Sequence, residues 1–195
     1  MLRTPDGEYH FQLIEKKSKF YGVIFPCDSL TGAKNLKSQL ERRYRDARHI
    51  AFAYRIIFDG QFLIKMGDAG EPSGSAGRPI FNHIERNNLV NCAIFVVRYF
   101  GGVKLGMAGL IRAYGGCAKR LVNEVKTSDF TVKKSCCIKL SYCNRAALTS
   151  YCHSMDLSVK REKYFDKIIA ELEYDQTTPE SVISGLAKFG DVTLS

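Results

Sequence analysis

The sequence predicts an α+β protein in two parts, an N-terminal α/β domain over residues 1–134 and a ferredoxin-like domain over 135–195. Three observations carry this. Apolar residues alternate between runs of period two and faces of period 3.6 from Phe20 to Val125, as strands and amphipathic helices do. From Ser135 onward the order is strand, helix, strand, strand, helix, strand, the βαββαβ arrangement. Charge changes at the same place: residues 1–134 hold 22 Lys and Arg against 12 Asp and Glu, whereas 135–195 hold 7 against 8.

Each element has its own signal. Residues 20–27 (FYGVIFPC) are short, apolar and β-favouring, ending near Pro26. Ser29 is a suitable N-cap for a helix that places Ala33, Leu36, Leu40 and Tyr44 on one face and leaves Lys34, Lys37, Arg42, Arg43 and Arg45 on the others. His49 to Phe58 and QFLIKM form a hairpin, with Asp59-Gly60 at its turn. The glycine-rich GDAGEPSGSAGR, 67–78, is a loop, and Pro79 opens a short helix to Asn87. Val90 to Tyr99 reads as a buried strand, Phe100 to Ala108 as a second glycine-rich loop, and Gly109 to Val125 as a helix with Leu110, Tyr114, Cys117 and Leu121 on one side. Gly115 and Gly116 within it imply close packing or a bend. After the polar KTSDFTVKKS come a strand at 136–142, a helix at 144–155 capped by Asn144, strands at 157–165 and 167–174, a helix at 178–188 capped by Thr178, and a last strand at 191–194.

Composition excludes several classes. Hydrophobic residues at 45% and charged residues at 25% are those of an ordinary globular protein. The apolar run Cys92 to Val97 is far short of the roughly 20 residues that span a bilayer, and MLRTPDGEYHF lacks the apolar stretch of a secretory signal, so a cytoplasmic address and no membrane partner are expected. Seven cysteines with no Cys-x-x-Cys read as reduced thiols, and four scattered histidines supply no metal-ligand spacing, so no metal is expected. The basic excess, all in the first two-thirds, suits a polyanion, because clustered Lys and Arg release counterions on meeting phosphates.

The stretch RYFGGVKLGMAGLIRAY, 98–114, follows a strand and enters a helix, the geometry in which backbone N–H groups converge on an anion. Nucleotide fingerprints fail there. Met107 and Ala108 stand where a phosphate-binding loop needs Lys and Ser or Thr, and Gly-x-Gly-x-x-Gly does not occur, so no cofactor is expected. Candidate phosphate contacts are Arg98, Gly101, Gly102, Lys104, Arg112 and Arg78. Phe100 is the exposed ring for stacking on a base, while Tyr99 and Tyr114 can both face the core. Gly101 and Gly102 equally suit a packed turn with positive φ. An enzymatic alternative uses Asp68, Glu71 and Ser73, with Ser75 beside them and His49 or His83 as base. Asp68 and Glu71 can instead cap turns or hold an arginine.

GDAGEPSGSAGRPI at 67–80 and VVRYFGGVKLGMAGLIRAY at 96–114, with KSKFYGVIFP and RHIAFAYRI before them, resemble the IMPACT family and its bacterial members. The resemblance covers about residues 9–125. It implies an IMPACT-type N-terminal domain with a ribosomal-protein-like βα arrangement and a C-terminal domain similar to one of elongation factor G. Eukaryotic members regulate translation with an additional RWD domain, which this chain is not expected to carry. Two departures stand out: Asp68-Ala69 where the family has paired acids, and Ala108-Gly109 where it has two glycines. The resemblance and the charge together predict a non-enzymatic protein that binds nucleic acid, RNA or the ribosome, with a role in translation regulation. An enzyme or small-molecule phosphate binder using the 67–78 and 100–109 loops is one alternative, and an interaction module for a protein partner in translation control is another.

Overall fold

A computed structural model describes residues 1–58 and 60–194. The chain is α+β and divides into two compact units, Met1–Phe130 and Thr131–Ser195. The first contains β1 (Leu2–Pro5), β2 (Tyr9–Glu15), β3 (Ser18–Pro26), α1 (Leu30–Arg43), β4 (His49–Phe58), β5 (Gln61–Gly67), α2 (Gly77–Arg86), β6 (Cys92–Tyr99), α3 (Gly106–Glu124) and β7 (Thr127–Phe130). Strands order as β2-β3-β6-β4-β5, every adjacent pair antiparallel, and β1 pairs with β7 in a separate ribbon. Helices therefore cover both faces of this sheet without the parallel crossovers of a doubly wound fold.

The central strand β6 explains the layering. Its alternate residues Cys92, Ile94 and Val96 pack with Phe20, Ile80, Ile84, Leu110, Tyr114 and Leu121 beneath α2 and α3. Ala93, Phe95 and Val97 point the other way, to Ala33 and Leu40 of α1. Continuing the alternation past the apolar run sends Arg98 to the α2 and α3 face and Tyr99 to the α1 face. Helix α1 forms as its pattern predicts: the Ser29 hydroxyl accepts the Gly32 N–H at 3.1 Å, and Ala33 and Leu40 are buried.

Several expected boundaries move. Helix α3 starts at Gly106, three residues early, so Met107 and Ala108 belong to its first turn rather than to the loop. Strands β1, β2 and β7 had no counterpart in the sequence reading. The β4–β5 register pairs Phe58 with Gln61, and Gly60 has φ 70°; Asp59 of the expected turn lies outside the described residues.

The second unit holds β8 (Lys133–Leu140), α4 (Arg145–Ser154), β9 (Ser158–Tyr164), β10 (Ile168–Asp175), α5 (Glu180–Gly185) and β11 (Gly190–Leu194). Its sheet order, β11-β8-β10-β9, is ferredoxin-like, and Cys136, Ile138, Leu140, Ile168, Ala170 and Leu172 bury one face against Leu148, Cys152, Ile183 and Leu186. Neither expected cap forms. Asn144 is itself helical, at the end of a 3-10 turn, and its amide donates to the Phe189 carbonyl at 2.9 Å. Helix α5 begins only after Pro179, and Thr178 donates its backbone N–H to the Asp175 carbonyl in the preceding turn.

Candidate nucleic-acid interface

The first glycine-rich loop is organised by Asp68. The chain turns through Ala69 and Gly70, both at positive φ, and closes with the Glu71 N–H on the Asp68 carbonyl. The Asp68 carboxylate then accepts the backbone N–H groups of Gly74, Ala76 and Gly77 at 2.8–2.9 Å. Two of these stand at the start of α2, whose own N-cap, Ala76, has no side chain able to cap it. Asp68 thus caps a helix from upstream, and its charge suits the positive helix end. Burial pushes its carboxyl up, but the three N–H groups outweigh burial and hold it below the ordinary range. Ser75 is buried and donates its hydroxyl to the Pro72 carbonyl at 2.6 Å, and His49 Nδ1 donates to the Ala69 carbonyl at 2.8 Å.

Arg98 was expected among the phosphate contacts, but only 6% of it is exposed and its charge is matched internally. Its Nη1 donates to both oxygens of Glu71, at 2.8 and 3.1 Å, and the Tyr114 hydroxyl donates to the same carboxylate at 2.8 Å. Nη2 reaches the Ser18 hydroxyl at 3.3 Å, which also accepts the Gly101 N–H at 3.2 Å. The guanidinium carbon is 5.6 Å from the ring centroids of both Phe20 and Phe100. Burial first and then the Glu71 charge push the Tyr114 phenol far up, so it stays a donor. The acid and hydroxyl candidates are accordingly not assembled as one set: Asp68 holds backbone, Glu71 holds Arg98 and Tyr114, and Ser73 is exposed. Among the described residues no three His, Cys, Asp or Glu side chains converge as metal ligands.

The second loop owes its path to its glycines. A Cβ at Gly101 would run into the Lys17 carbonyl, and Gly102 has φ 83°. This close approach sets the β2–β3 hairpin against the loop. Phe100, 54% exposed, lines two hollows there. One, of about 240 Å³, is bounded by Glu71, Pro72, Arg98, Lys104 and the start of α3. The other, of about 370 Å³, is bounded by Lys17, Lys19, Tyr21 and Tyr99. The first turn of α3 has neither an acidic residue nor a capping side chain, so its N–H groups stay open beside Lys104. Tyr99 donates to Asp46 at 2.6 Å. Arg112 is exposed on α3, while Arg78 lies apart from the hollows, at a groove between α2 and α3. Among the described residues none of Lys17, Lys19, Lys104, Arg78 and Arg112 pairs with a carboxylate. Ser18, Lys17 and Lys19 escaped the sequence reading. The register of Lys19 opposite Tyr99 brings them in, and residue type alone could not reveal it.

Residues 16–122 match the Impact N-terminal domain. The chain is 33% identical over 119 residues to the IMPACT family member YvyE of Bacillus subtilis, covering 61% of this chain and 54% of that one. It is also 33% identical over 118 residues to the IMPACT family member YigZ of Escherichia coli, covering 60% and 57%. The match thus spans little more than half the length of these curated relatives. A crystal structure of a hypothetical protein aligns over 99% of this chain and 95% of its own, with a TM-score of 0.75 at 23% identity, a likeness of fold. Both glycine-rich loops, the Asp68 cap and the Arg98–Glu71 pair fall inside the matched segment, and the chain belongs to the IMPACT family.

Proposed function

We propose that the first unit binds single-stranded RNA, with a base stacked on Phe100 and phosphates held by Lys17, Lys19 and Lys104. The observation that carries this is the exposed Phe100 ring on the wall shared by two hollows, with Lys104 lining one and Lys17 and Lys19 lining the other. An aromatic face among lysines is how single strands are gripped without base readout. The two acids of the loops do not oppose it, since Asp68 and Glu71 are both occupied within the protein. The basic excess of residues 1–134 supplies the long-range attraction. A role in translation, on RNA or the ribosome, follows as the setting for such a protein.

A salt-titrated binding series on single-stranded RNA, duplex RNA and single-stranded DNA tests this. Phe100→Ala should weaken single-strand binding by about 1–3 kcal/mol at constant salt slope. Lys17→Ala, Lys19→Ala and Lys104→Ala together should flatten the slope of log affinity against log salt by about 0.7 per phosphate lost. If the wild type ignores every polynucleotide at low salt, the proposal fails. A mononucleotide or phosphate ester bound in its place and lost on Lys104→Ala would assign the smaller hollow to a small molecule, and an acidic protein would make the face an interaction module.

A further inference from the structure

A further concavity, of about 350 Å³, lies between α2 and α3. Arg78, Asn82 and Arg86 follow one another at intervals of four on α2, so they share a face, with His83 beside them. Helix α3 contributes Ile111 and Gly115, and Lys119, one turn on, is near enough to act on the His83 ring. Gly115 keeps the groove open: a Cβ there would stand 3.6 Å from Pro79 and 3.7 Å from His83 Nε2. Burial, then Arg86 and Lys119, disfavour protonation of His83. Among the described residues no carboxylate lines the groove, and Arg78, Arg86 and Lys119 enter no ion pair. Arg78 and Arg86 on its wall and Lys119 beside it give the concavity a positive local potential.

We propose that this groove is a phosphate-binding site, with Arg78 and Arg86 gripping the phosphate oxygens, His83 hydrogen-bonding to them and Lys119 adding the third charge. Guanidinium groups suit this task because their planar forks match phosphate oxygens two at a time. The phosphate can belong to a polynucleotide backbone or to a free ester. Only the first source rests on the RNA reading above.

The test follows the His83 ring by NMR through pH titrations of the full chain. Inorganic phosphate, uridine monophosphate and a short single-stranded RNA are each added against chloride at matched ionic strength. Bound phosphate should move the His83 signals saturably and raise its midpoint. Arg78→Ala and Arg86→Ala, both at exposed positions, should each weaken the response about tenfold or more, as expected for losing a charged hydrogen bond. RNA acting alone on His83 identifies a polynucleotide source, and the small phosphates acting alone identify a free ester. The site is overturned if none of the three probes moves His83, or if the arginine variants respond like the wild type. Phe100→Ala separates the two proposals: it should weaken RNA binding while leaving the inorganic phosphate response of His83 unchanged.

Discussion

Replacing Glu71 by Gln keeps the shape of the side chain and an acceptor for Tyr114 while removing the charge that Arg98 faces. Both partners are deeply enclosed, with 7% of the Arg98 side chain and 4% of the Glu71 side chain exposed. Arg98 Nε already lacks a partner, and among the described residues Glu71 is the one carboxylate within ion-pair distance of the guanidinium. Breaking a pair this buried costs about 3–5 kcal/mol, against about 0.2–1 kcal/mol for an exposed one. In a unit of about 130 residues, where 1 kcal/mol corresponds to some 3–4 °C, Glu71→Gln should lower the Tm by roughly 10–20 °C. Urea unfolding followed by far-UV circular dichroism measures it. The companion Glu71→Gln with Arg98→Met removes the stranded charge and should recover more than half of the loss. A single variant that loses less than about 1 kcal/mol, or a double variant less stable than the single, would refute the internal pairing of Arg98.

Other substitutions probe the same loops. Asp68→Asn should cost about 1–3 kcal/mol at neutral pH. Because the folded carboxyl lies below its ordinary value, that contribution is complete above the ordinary carboxylate range and disappears as pH falls through the lowered one. Wild type and variant should therefore converge in acid, and a gap that widens there would contradict the capping role. Ser18→Ala leaves the Arg98 Nη2 and Gly101 donors without their shared acceptor and should cost about 1–3 kcal/mol; by loosening Phe100 it should also weaken RNA binding at an unchanged salt slope. Gly115→Ala and Gly116→Ala meet only ordinary contacts and should each raise stability by roughly 0.5–1 kcal/mol, whereas Gly101→Ala should prevent the hairpin from seating and lower it in the same urea experiment.

What could be read in the sequence was local. The period change at Ser29, the run Cys92 to Val97 and the βαββαβ order all follow from spacing, and each appears in the structure. The roles allowed to Asp68 and Glu71, capping a turn and holding an arginine, follow from residue type and are what these side chains do. Their partners could not be read. Glu71 and Arg98 are 27 residues apart and Ser18 and Arg98 are 80 apart, distances that only the sheet register closes. The β1–β7 ribbon escaped for the same reason, since each strand has four residues and gains its partner from the far end of the unit. Strand β2 was within reach, as Tyr9, Phe11 and Leu13 alternate toward the core.

The same long-range contacts give the loops their surface character. Arg98, the cation that opens RYFGGVKLGMAGLIRAY, is the one of its three most fully withdrawn from solvent, and in turning inward it takes Glu71 with it. This exchange leaves the local net charge unchanged but sorts the charges by depth, so that solvent meets Lys17, Lys19 and Lys104 and not the carboxylate. Ser18 then binds both the buried guanidinium and the backbone of the glycine loop, tying the lysines of the β2–β3 hairpin to Phe100. A ligand that stacks on Phe100 would find the ring, and the backbone that carries those lysines, held in register by a buried network it never touches, which leaves only the lysine side chains to be ordered on binding. On a loop without that network, the ligand would have to order the backbone as well. The distinction gives the inward turn of Arg98 a consequence for recognition without making it a contact.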